Sequence, residues 1–230
     1  MSEHTSKQFD TELETVRTRV LQMGGLVEEQ IQRAIDALNS GNMEEIDRVK
    51  ENDHRVNAME VELDEACSHI IARRQPAASD LRLIIAVVKT ITDLERIGDE
   101  AEKIARMAKL IHEAERLHMP RVDLRHVADL AVAMLRSSLD AFARLDSKAA
   151  LRVVQSDEAV DREFRSILRE LITFMMEDPR TISRCLEVLF VAKALERIGD
   201  HSKNMAEYVI YMVEGRDVRH LRNPEFDDQV

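Results

Sequence analysis

Leu94-Glu95-Arg96-Ile97-Gly98-Asp99 recurs as Leu195-Glu196-Arg197-Ile198-Gly199-Asp200, 101 residues further along a chain of 230. A second block repeats as well: Asp36, Ala37, Arg48, Val49, Asp53 and Val56 return as Asp140, Ala141, Arg152, Val153, Asp157 and Val160, at an offset of 104. The chain is an internal duplication. The two offsets differ by three residues, a deletion that loops near Pro76 and Pro179 would absorb. A repeat of this period predicts two similar units, each carrying whatever the repeated string does.

The units are expected to be helical. Phe9, Leu13, Val16, Val20, Met23, Val27, Ile31, Ile35 and Leu38 recur at three- and four-residue steps, which a strand cannot produce. That helix stops at Asn39-Ser40-Gly41-Asn42. A second is predicted over about 43–73, with Val49, Val56, Met59, Leu63, Cys67 and Ile70 on its apolar side. Pro76 ends it, Ser79 is the candidate N-cap of a third, and the third runs towards His118, before Pro120. The second half repeats the pattern over about 123–145, 148–176 and, after a break at Asp178-Pro179, 182–214. The expected fold is all-α: two tandem antiparallel three-helix units at 1–119 and 120–214, with a loosely held tail at 215–230 that contains Pro224 and Asp227-Asp228.

Composition agrees with long helices that have charged faces: 44% of residues are hydrophobic and 33% charged, only 3% are aromatic, and there is no Trp. Apolar stretches such as Leu83 to Val88 fall far short of the roughly 20 residues of a membrane span. Glu3, Lys7, Asp10 and Glu12 break the basic-then-apolar order of a secretory signal, so a cytoplasmic protein is expected. Cys67 and Cys185 lie in opposite halves without CxxC spacing, as reduced, buried side chains would. A net charge of −11 argues against nonspecific nucleic-acid binding and points to proteins or cations as partners.

The repeated string places carboxylates on an apolar line. At 100° per residue, Glu95 follows Val88 and Ile91, and Glu196 follows Leu189 and Ala192, with Asp99 and Asp200 one turn beyond. Like charges at this spacing disfavour a helix, and burial raises the cost, so something positive should compensate them. The second helix of each unit carries Asp53 with Asn57, and Asp157 with Asp161. If it packs antiparallel to the third helix, three or four acidic groups converge. Such a set of hard oxygen donors suits iron, manganese, magnesium or calcium, and also zinc. The alternative is a solvated acidic face neutralised by Arg96 and Arg197. Gly98 and Gly199, each inside a helix at a cost of about 1 kcal/mol, imply close approach by a neighbouring backbone or room for an ion.

Other candidates carry less. Glu51 and His54 have Glu-x-x-His spacing, but Gln155 and Glu158 replace them in the second half, against a di-iron enzyme. His201 points about 100° from Asp200, a surface or supporting position rather than a ligand. The eleven Met residues are read as core filler or a helix-facing contact surface. No Ser-His-Asp or Cys-His arrangement and no glycine-rich phosphate loop is legible, so a protein without enzymatic activity is expected.

Over nearly its whole length the chain resembles the PhoU family of bacterial phosphate-transport accessory and regulatory proteins. The resemblance rests on the opening from His4 to Leu13, the run from Arg73 to Arg82, both repeated strings, and Met175 to Thr181. It implies two three-helix bundles related by a pseudo-twofold axis and commonly assembled as homodimers. It also implies multinuclear iron or zinc clusters on acidic motifs of the bundle surface, a donor set that manganese or magnesium also fits. Carried over, the motif residues are Glu95 with Asp99, Asp157 with Asp161, and Glu196 with Asp200; the first half keeps Asp53 but has Asn57 where a carboxylate would complete the set. Glu60 and Glu102, each about one turn from motif residues, are candidate replacements, and the second-half set is expected to bind a cation more tightly. The implied function is negative regulation of the phosphate regulon. The protein would be a binding adaptor between the nucleotide-binding subunit of the high-affinity phosphate ABC transporter and the membrane sensor histidine kinase, reaching the membrane only through them. The alternatives are a carboxylate-bridged metal oxidase or hydrolase and a metal-free helical scaffold.

Overall fold

The computed structural model describes residues 2–113 and 122–218. Six helices account for them, with no strand among the described residues: α1 (Ser2–Ser40), α2 (Met43–Arg74), α3 (Ala78–Glu113), α4 (Arg125–Arg144), α5 (Ser147–Glu177) and α6 (Ile182–Glu214). A short 3-10 turn, Pro179–Thr181, joins the last two. The all-α expectation holds. The break at Asp178-Pro179 becomes this tight turn because the Asp178 carboxylate accepts from Arg180 N at 3.0 Å and Pro179 needs no donor there.

Local chemistry fixes the helix ends. Gly41 sits at φ +72°, where an L side chain is strained, and Asn42 then caps α2 by accepting from Glu44 N at 3.0 Å. The His112 ring covers this turn, its Nε2 2.8 Å from Leu38 O, and a Cβ on Gly41 would lie 2.7 Å from its Nδ1. Asp146 caps α5 by accepting from Ala149 N at 2.9 Å. Ser79 is not an N-cap: α3 opens at Ala78, with Leu81 N donating to Ala77 O at 2.9 Å, so Ser79 lies inside the first turn. The predicted extension of α3 to His118, and the expected division between 119 and 120, fall outside the described residues.

The helices α1, α2 and α3 pack mutually, as do α4, α5 and α6, and α3 then packs on α6 more extensively than on either helix of its own unit. Asp93 meets His201 and Asn204 while Glu100 meets Arg197, so α3 and α6 run antiparallel. Consequently one apolar core runs through both units, from Val20 and Met23 to Ile198 and Met205. Cys67 and Cys185 are buried and free, and burial pushes the Cys67 thiol up to about 11. Val218 is buried against the same core, so the expected loose tail does not begin at Gly215; residues 219–230 lie outside those described.

Candidate acidic site on the repeated helix pairs

In the first repeat the site is built on the fully buried Gln30 of α1. Its Nε2 donates to Gly98 O at 3.0 Å and to Asp53 Oδ1 at 3.1 Å, tying α1, α2 and α3 together. The other Asp53 oxygen accepts from Asn57 Nδ2 at 3.2 Å. Glu95 and Asp99 of α3 face this pair, and both carboxyls are held above their usual range. For Glu95 the causes are desolvation first, then Asp99, Glu60 and Asp53; for Asp99 they are desolvation, then Asp53, Glu100 and Glu102. Antiparallel packing has brought the predicted acids into one field. The carboxylates do not close on a single point: among the described residues, no group of three or more His, Cys, Asp and Glu side chains is arranged to hold one ion.

Two oxygens here lack the partner that burial demands. Gln30 Oε1 and Asn57 Oδ1 are both buried and accept no hydrogen bond. Leaving such a group unsatisfied costs about 1–3 kcal/mol. Gly98 borders the first of them: a Cβ there would stand 3.5 Å from Asp53 Oδ1, Gln30 Oε1 and Val56 Cγ1, placing a methyl group against two polar oxygens. At Gly199 the reason is steric, with Val160 Cγ1 only 3.3 Å from a Cβ and Met134 Sδ at 3.6 Å.

The second repeat neutralises its acids with its own cations. Lys203 donates to Asp157 Oδ2 at 2.7 Å, Lys193 to both oxygens of Glu196 at 2.6 Å, and Arg165 to Asp161 Oδ2 at 2.7 Å. Asp200 has no such bond, and burial, then Glu196 and Asp157, push its carboxyl up to about 6. At the repeat offsets the first half has Thr92 for Lys193, Glu102 for Lys203 and Val61 for Arg165. Met134 replaces Gln30, a soft thioether in place of an amide oxygen. The two sites share a backbone plan and differ in chemistry.

The arginines of the repeated string play another part. Arg197 pairs with Glu100 across the two units at 2.7 Å, and Arg96 only moderates the field at Glu95. The expectation for His201 is corrected: it is buried between α3 and α6, with Nδ1 2.7 Å from Asp93 Oδ1, because the partner helix covers the side that α6 alone leaves open. Asp93 corresponds to Ala194, so the duplication gave no hint of this pair. Glu51 and His54 are both exposed and line no site. Gln30, Lys193 and Lys203 were missed, although comparing charge at aligned repeat positions would have flagged both lysines.

The PhoU domain family model matches residues 20–108 and 124–209. The chain is 53% identical over 224 residues to the phosphate-specific transport system accessory protein PhoU homolog of Pseudomonas putida, covering 96% of this chain and 86% of that protein. It is 47% identical over 228 residues to the phosphate-specific transport system accessory protein PhoU of Escherichia coli strain K12, covering 99% and 94%. The crystal structure of PhoU from Pseudomonas aeruginosa superposes with a TM-score of 0.86 at 52% identity, over 90% of this chain and 100% of that one. The phosphate transport system regulatory protein PhoU from Streptococcus pneumoniae gives 0.84 at 28% identity, over 91% and 99%. The chain belongs to the PhoU family.

Proposed function

We propose that this chain is an accessory protein of phosphate-specific transport and, within that role, a cytoplasmic negative regulator of the phosphate regulon that works by binding. The observation that carries the reading is identity of about half over nearly the full length to proteins named for this transport role. The partners in this reading are the transporter's nucleotide-binding subunit and the sensor histidine kinase, and the working unit is a homodimer. No helix among the described residues is long and apolar enough to cross a membrane, and these partners supply the membrane contact. Regulation follows from differential affinity: an adaptor that prefers the kinase's inhibitory state shifts the kinase towards it when phosphate is plentiful. A surface suited to contact is present, since Ile182, Leu186 and Phe190 recur every four residues on α6 and are exposed.

In this reading the acidic site holds cations, and its carboxylates, which do not meet at one point without an ion, would have to close on it. In the first repeat Asp53, Glu95 and Asp99, with the orphaned Gln30 Oε1 and Asn57 Oδ1, offer oxygen alone, the donor set of hard ions such as iron, manganese or magnesium; zinc is the softer fit. A bound cation would supply positive charge that offsets the mutual repulsion and lowers the raised carboxyls. In the second repeat Asp157, Asp161, Glu196 and Asp200 would first have to release Lys203, Arg165 and Lys193. This competition favours the first repeat for the tighter site, opposite to the order that counting carboxylates suggests.

The test is a phosphate-regulated reporter in a strain lacking the protein. Expression in rich phosphate is the expected result, restored to repression by the full chain. Normal repression in the deletion strain would overturn the reading.

A further inference from the structure

A groove of about 380 Å3 runs between α4 and α5 beside their turn, with Met134, Ala141 and Val153 on its floor and Arg144 and Arg152 exposed on its rim. It lies in the second repeat, where three long charged side chains of the first repeat have small counterparts. Glu29, Arg33 and Glu45 correspond to Ala133, Ser137 and Ala149. In the first repeat they form a ladder: Arg33 donates to Glu29 at 3.1 Å and to Glu45 at 2.9 Å, and Arg48 donates to Glu45 at 3.0 Å and to Glu44 at 2.7 Å.

The same difference leaves charge without a partner. Arg152 is the counterpart of Arg48, and the two acids that hold Arg48 have become Lys148 and Ala149. Arg144, Lys148 and Arg152 make no hydrogen bond or ion pair among the described residues. Two carboxylates share the groove: Asp146, engaged as the cap of α5, and Asp140. Where the first repeat sets Arg33 and Arg48 against Glu29, Asp36, Glu44 and Glu45, the second sets three bases against two acids. In a chain of net charge −11, unpaired guanidiniums beside the N-terminus of a long helix mark a place for negative charge.

We propose that this groove docks an acidic, amphipathic segment of a protein partner, with apolar side chains on Leu130, Ala133 and Ala149 above the buried Met134 and Val153, and carboxylates on Arg144 and Arg152. A free small anion would engage the rim and leave the apolar floor bare; a peptide covers both. The inference goes beyond the acidic site, and rests on the adaptor reading only for the existence of a protein partner.

The experiment places a benzophenone amino acid at the exposed Ser156, on the groove edge, in the full chain in cells at high and low phosphate. Crosslinked peptides are identified by mass spectrometry. The expected adduct joins a partner segment in which acidic residues flank apolar ones. It falls about tenfold in Arg144→Glu/Arg152→Glu, the loss matching removal of one good charge contact. It also falls in Ala133→Glu/Ser137→Arg/Ala149→Glu, which rebuilds the first repeat's surface ladder; circular dichroism checks that this variant is folded. No adduct, an adduct indifferent to both variants, or one to a basic segment, a second copy or residues 219–230 would overturn the proposal. A phosphate reporter that stays properly repressed in a strain yielding no adduct would remove the groove and leave the adaptor reading standing.

Discussion

Asp200→Asn should stabilise the cation-free protein at pH 7.5 and do so only about a third as strongly at pH 4.5. The Asp200 carboxyl is raised from 3.8 to about 6, chiefly by burial, then by Glu196 and Asp157. Because the folded state binds this proton more tightly than the unfolded chain, the penalty is absent below the unfolded value. It grows as pH rises between 3.8 and about 6, and is fully present above that. A shift of roughly two units is worth at most about 3 kcal/mol. The side chain is only half-buried, and solvent screening reduces the expected gain to about 1–1.5 kcal/mol. Asparagine matches aspartate in volume and helix propensity, so the substitution isolates the charge. Urea unfolding followed by circular dichroism, on chelator-treated protein at both pH values, reads the difference, which corresponds to a rise in Tm of about 2–5 °C at neutral pH. A variant less stable than the parent at pH 7.5, or a gain of equal size at both pH values, would refute the electrostatic reasoning.

Lys203→Met removes the counter-ion of Asp157 and should destabilise the cation-free protein by about 1–3 kcal/mol. The same variant should bind manganese at the second repeat on the order of tenfold more tightly in calorimetric titration, since no ammonium need be displaced. Gly41→Ala meets both a left-handed backbone and the His112 ring, so thermal unfolding should show a loss of about 1–3 kcal/mol.

Helix identity, the duplication and the position of Glu95, Asp99, Glu196 and Asp200 on their helices were legible because each depends on residues within a turn or two along the chain. Their convergence with Asp53 and Asp157 was legible at one remove, through the antiparallel packing that short connections enforce. What neutralises each set was not. Gln30 reaches Asp53 from 23 residues away, and Lys203 reaches Asp157 from 46. His201 finds Asp93 from 108 residues away, across the interface between the two units. The sequence by itself determined the helices, the repeat and which carboxylates share a face, since a 3.6-residue period writes these into local spacing. Only the tertiary structure decided that one repeat meets its acids with lysines while the other leaves two buried oxygens without a donor. Compensation of charge acts through space, and is set by whichever side chains other helices bring within about 3 Å.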